Sequence, residues 1–110
     1  MTDHRDPNKA VDYILANAPK FAAAKASRMW IEEFRKSKKA LLMSSCEEKA
    51  VNAREQFAYS HPDYVSLLDG LKVAVEAEER MKWEMVAAQM RVEIWRTQEA
   101  SNRNQDRSAR

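Results

Sequence analysis

Apolar residues recur at helical intervals along nearly the whole chain, and nowhere do they alternate with polar ones as a half-buried strand requires. From Tyr64 onward the series Tyr64, Leu67 or Leu68, Leu71, Ala74 or Val75, Glu78, Met81, Met85, Ala88, Val92 and Trp95 advances by threes and fours. That is a heptad seam interrupted only at Glu78. Upstream, Phe21, Met29, Trp30, Ile31, Phe34, Leu41, Leu42, Val51 and Phe57 mark another long helix. Its matching seam reads Ile31, Phe34, Lys38, Leu41, Ser45, Glu48 and Asn52, and it turns polar after Leu41. Before it, Val11, Ile14 and Leu15 make a short stripe of their own.

Proline and glycine set the expected boundaries. Asp6-Pro7 suits a helix start, with aspartate capping and proline in the first turn. Asn17-Ala18-Pro19 predicts a stop, because the residue before proline is pushed away from helical geometry. No further proline occurs until Pro62, where Ser60 or His61 can cap a new helix and Asp63 complements its dipole. The one glycine, Gly70, lies inside that helix and off the seam.

The expectation is therefore an all-α chain with helices over about 7–17, 19–59 and 62–100 in a single domain, residues 1–100, and a frayed polar tail over 101–110. A short first helix precedes a long antiparallel hairpin folded about Pro62. Ile31 and Phe34 then face Val92 and Ala88, while Ser45 and Glu48 fall near Glu78 and Ala74. Two helices cannot shield a core on all sides. The pattern predicts self-association, most simply a twofold dimer forming a bundle, with Trp30, Phe34, Met85, Val92 and Trp95 at the interface.

Composition narrows the class. With 45% hydrophobic and 33% charged residues, the chain is neither disordered nor membrane-embedded in character. No window has the roughly 18 apolar residues of a membrane span, and the first residues lack the apolar core of a secretory signal, which predicts a cytosolic protein. Cys46 is a lone cysteine and His4 and His61 are the only histidines, so neither a disulfide nor a familiar zinc site is expected. Scarce glycine also argues against phosphate-cradling loops and nucleophile elbows. No catalytic residue, metal or cofactor is expected.

The net charge of +2 conceals a polarity, since residues 20–59 sum to +4 and residues 60–100 to −3. Lys25, Arg28, Arg35 and Lys39 share steps of three, four and seven, giving a basic stripe to which Lys36 and Lys38 add. Such a stripe either keeps a helix solvated or contacts a polyanion. Consecutive helical residues point in different directions, so the whole run Arg35-Lys36-Ser37-Lys38-Lys39 cannot face one surface. Glu76, Glu78 and Glu79 with Glu47 and Glu48 resemble a di-metal carboxylate cluster but lack the histidine such clusters add, and surface ion pairs explain them better. Trp30, Trp83 and Trp95 could stack on single-stranded bases, although Trp95 on the seam reads first as core or interface. Met81, Met85 and Met90 read as adaptable packing, His61 as a cap.

The stretch Trp30 to Lys39, together with His61-Pro62-Asp63-Tyr64 and Ile94-Trp95-Arg96-Thr97-Gln98, resembles a group of small phage-encoded helical proteins. The resemblance covers roughly residues 10–100 and implies a bacterial or prophage setting among replication and recombination functions. It supplies no catalytic residues. The expected function is a non-enzymatic, oligomeric accessory protein of phage DNA replication or recombination. It would bind single- or double-stranded DNA through Lys25, Arg28, Arg35, Lys36, Lys38, Lys39, Arg103 and Arg107. The competing expectation is an adaptor or inhibitor whose long helices dock on a phage or host recombination protein without contacting DNA.

Overall fold

The computed structural model describes residues 6–109, and apart from Asp6, the segment 46–50 and His61 all of them are α-helical. Helix α1 spans Pro7–Ser45, α2 Val51–Ser60 and α3 Pro62–Ala109. The start of α1 follows the sequence signal: the Asp6 carboxylate accepts from the Asn8 N–H at 2.8 Å. The expected stop at Pro19 does not occur, and Pro19 lies inside a continuous α1. Proline costs that helix one hydrogen bond, to the carbonyl of Leu15, a residue 69% exposed, so water can replace the missing donor. Around it Ala16, Ala18, Ala22, Ala23, Ala24 and Ala26 supply the strongest helix formers, and Asn17 adds a side-chain bond to the carbonyl of Tyr13 at 2.8 Å.

The expected helix over 19–59 is instead broken at 46–50, without proline or glycine. Ser44 and Ser45 turn their hydroxyls onto the carbonyls of Ala40 and Leu42, at 3.0 and 2.7 Å. Cys46 closes a tighter final turn onto the Met43 carbonyl, which also receives Arg54 Nε at 3.1 Å. Serine competes with the helix for its own backbone groups, and here the competition coincides with the end of α1. Leaving the helix at this point lets Ala58 and Tyr64 cover Leu42, with Met43 packed against the cluster.

At the second boundary the His61 Nδ1 accepts from the Asp63 N–H at 3.0 Å, so histidine caps α3. At its other end α3 runs through the segment expected to fray. Gln98, Glu99, Ala100, Arg103, Gln105 and Arg107 are good helix formers, and polarity alone does not end a helix.

The chain divides into two compact units, one formed by Ala23–Glu79 and one by the residues up to Ala22 together with those from Arg80 onward. In the second of these, Ala10 and Ala88 are fully covered, while Ile14, Phe21, Met81, Met85 and Val92 are half-buried. Tyr13 donates to Glu84 there at 2.5 Å, joining α1 to α3. In the Ala23–Glu79 unit the covered side of α3 is Tyr64, Leu67, Leu71, Ala74 and Glu78, one choice from each alternative along the expected seam. On α1 the covered side is Ala24, Arg28, Ile31, Phe34, Lys38 and Leu42, and the expected Leu41 is 60% exposed. The expected register also shifts. Ile31 and Phe34 line one cleft with Ser66, Leu67 and Gly70 rather than facing Val92 and Ala88, because the break and α2 consume the chain that a continuous helix would have placed there.

Candidate nucleic-acid interface

Three cations of α1 meet two tyrosines at one place. Arg35, Lys36 and Lys39 line an open cleft of about 440 Å³ with Tyr59 at the end of α2 and Tyr64 in the first turns of α3. Lys39 falls between Arg35 and Lys36 around α1, at steps of four and three, so the three cations span an arc of about 100°. The tyrosines arrive there because they flank the Ser60-His61-Pro62 turn, and their rings meet edge to face at 5.4 Å.

Lys39 anchors the group. Its ammonium lies 4.7 Å from the centre of the Tyr59 ring and 3.7 Å from Glu55 Oε1. The Tyr59 side chain first, and the Glu55 carboxylate after it, raise the Lys39 pKa above the ordinary lysine value. It stays charged throughout the physiological range. Lys36 pairs with Glu33 at 3.3 Å, both side chains being more than two-thirds exposed, a contact a competing anion can displace at little cost. The cleft therefore offers charge, forked guanidinium donors and two hydroxyls beside an aromatic face.

The other cations expected at this interface are placed differently. Arg28 grips Glu78 with two bonds of 2.6 and 3.1 Å and reaches Glu32 at 2.9 Å. Those bonds, Glu78 before Glu32, drive its pKa further up, and only 22% of its side chain is exposed. Arg28 is a structural cation, and Glu78, the polar residue in the heptad seam, is its partner. Lys38 likewise leans toward Asp63 at 3.8 Å on the half-buried side. Lys25 is exposed on α1, one turn before Arg28, and Arg103 and Arg107 are exposed on the last turns of α3, in the other unit.

Tyr59 and Tyr64 were missing from the sequence expectation, although two aromatics bracketing a proline turn are a signal that both side chains reach the same end of α1. Among the residues expected at a subunit interface, Trp30 is 63% exposed and stacks on Phe34 at 4.9 Å, while Trp95 is 45% exposed. Met85 and Val92 are instead half-buried within the chain. No described helix is long and apolar enough to cross a membrane. Comparison with known proteins finds no matching family model, curated protein or solved structure.

Proposed function

We propose that this is a non-enzymatic helical accessory protein that binds the phosphates of nucleic acid through Arg35, Lys36 and Lys39, with the exposed Tyr59 ring available to stack on a base and the buried Tyr64 ring holding it edge to face. The carrying observation is the convergence of those five side chains on one cleft. Nucleic acid suits it because phosphate rewards the cations and a base rewards the exposed Tyr59 face. In this reading the chain folds back on itself as an antiparallel hairpin and self-associates. The bonds from Arg28 to Glu78 and from Lys38 to Asp63, which run in opposite order along α1 and α3, support the first part. A core in which no large side chain among the described residues is fully buried supports the second. The setting is the one the sequence resemblance implies, phage DNA replication or recombination in a bacterial cytosol.

Titration of a labelled single-stranded oligonucleotide at several salt concentrations tests this. Three phosphate contacts per chain predict a log–log salt slope of about −2. Arg35→Glu combined with Lys39→Glu abolishes binding, whereas Arg28→Gln leaves it largely intact. Absence of binding at low salt overturns the proposal. A second reading, docking on another protein, draws on the Trp30 ring and Met29, 63% and 50% exposed beside a shallow apolar cleft lined by Ala26 and Ile31. Partner binding that is indifferent to salt and lost in Trp30→Ala would favour it.

A further inference from the structure

Helix α3 carries a second apolar stripe, outside the one covered within the chain. Trp83, Ala87, Met90 and Ile94 follow one another by steps of four, three and four, each two residues beyond Met81, Met85, Ala88 and Val92. Two residues correspond to about 200° around an α-helix, so this stripe lies on the face opposite the covered one. Trp83 is 62% exposed, Met90 58% and Ile94 45%, and Ala87 is exposed as well. Arg80 and Thr97 occupy the next positions along the stripe and bound it at either end. The spacing is that of a coiled-coil seam, in which small Ala87 offers a recess for a large side chain of a facing helix.

We infer that this face is covered by the same face of a second copy of the chain, lying antiparallel to it. This rests on the self-association proposed above and names its surface. Three observations select that occupant. The chain exposes 8487 Å², whereas a monomer of its mass typically exposes about 6,200 Å². The surplus, roughly 2,000 Å², is of the order each partner of an obligate dimer buries. Next, the stripe is self-complementary under a twofold axis between Ala87 and Met90. Ala87 then meets Met90 of the second copy, and Trp83 meets its Ile94. Finally, the flanking charges choose the direction. The antiparallel arrangement sets Glu84 against Arg91 of the second copy, twice by symmetry, whereas a parallel one sets Glu79 beside Glu84 of the second copy. Glu84 keeps acceptor capacity for this, since Tyr13 occupies only its Oε2.

Sedimentation equilibrium of the full chain at micromolar concentrations tests the surface. The wild type is dimeric, and Met90→Lys or Ala87→Arg shifts it to monomer with its helical circular dichroism retained, because both positions are exposed in the chain. Arg91→Glu weakens the dimer about tenfold, and adding Glu84→Arg restores it, a rescue that a role confined to folding does not predict. Spin labels in a Cys46→Ser background test the direction. Labels at Gln89, on the outer flank but level with the axis, are separated across the pair and by only about 1.5 Å along it, while labels at Gln98 lie about 28 Å apart along it at 1.5 Å per residue. A monomeric wild type overturns both this inference and the self-association beneath it. A dimer indifferent to Met90→Lys overturns the surface alone, and equal label distances at both positions overturn the antiparallel direction. A chain monomeric by itself that uses this stripe to capture a different protein overturns the second copy as its occupant.

Discussion

Around Pro19 the chain lacks a backbone donor and yet remains helical; around Cys46 it has every donor it needs, no proline and no glycine, and it leaves the helix. The two regions differ in what lies next to them. Pro19 sits on an exposed side where water can serve the freed carbonyl, within an alanine-rich stretch. Ser45 ends α1 where stopping lets Ala58 and Tyr64 bury Leu42 and lets Arg54 serve the Met43 carbonyl. A local penalty of a few kcal/mol is overridden in one place, and in the other the helix ends where serine competition and tertiary contacts coincide.

The contrast can be broken first at the cluster. Leu42→Ala removes the α1 side chain buried with Ala58 and Tyr64 and costs about 2–4 kcal/mol, read as a lower midpoint in chemical denaturation. If the break depends on that packing, amide exchange over residues 46–50 accelerates in the same variant more than exchange near Pro19. A helix end set by serine alone would leave the exchange pattern unchanged. The opposite test is Pro19→Ala, which restores a helix donor and stabilises the chain by about 1–3 kcal/mol. A neutral or destabilising outcome would mean that the proline geometry is used by the packing of α1. Arg54→Ala leaves the Met43 carbonyl with the Cys46 N–H as its donor and costs about 1 kcal/mol, visible as a small loss of thermal stability without loss of helix signal.

The smallest effect sits away from both regions, at Tyr13. Its hydrogen bond to Glu84, then its partial burial, and then the carboxylate charge raise its pKa from 10.0 to about 12. Because the folded value exceeds the unfolded one, this contribution is intact below pH 10. It is lost as the pH climbs toward about 12, where the folded phenol also ionises. Ultraviolet titration should show one of the three tyrosines ionising late, and Tyr13→Phe should remove that phase and flatten the alkaline loss of stability.

Much of the fold is legible in the sequence. The heptad steps from Tyr64 to Val92 named the covered side of α3, including the polar gap at Glu78. Asp6 and His61 cap the helices they were expected to cap. The basic stripe was legible only as a candidate. Arg28 and Lys38 have the same charge and nearly the same spacing as Arg35 and Lys39, and nothing along the chain says which of them is drawn toward a carboxylate of α3. Glu78 is distant in sequence from Arg28, and Tyr59 and Tyr64 are distant from Arg35, so a one-dimensional pattern cannot pair them.

The chain by itself determines that it is helical, which face of α3 is covered and where the Pro62 turn falls, because periodicity, capping and proline geometry act over a few residues. Only the tertiary structure decides that α1 ends at Ser45, that Arg28 is spent on Glu78 and that three cations gather with two tyrosines. Those outcomes depend on which distant side chains arrive at each point, and on free energies of contact that exceed the local preferences they override.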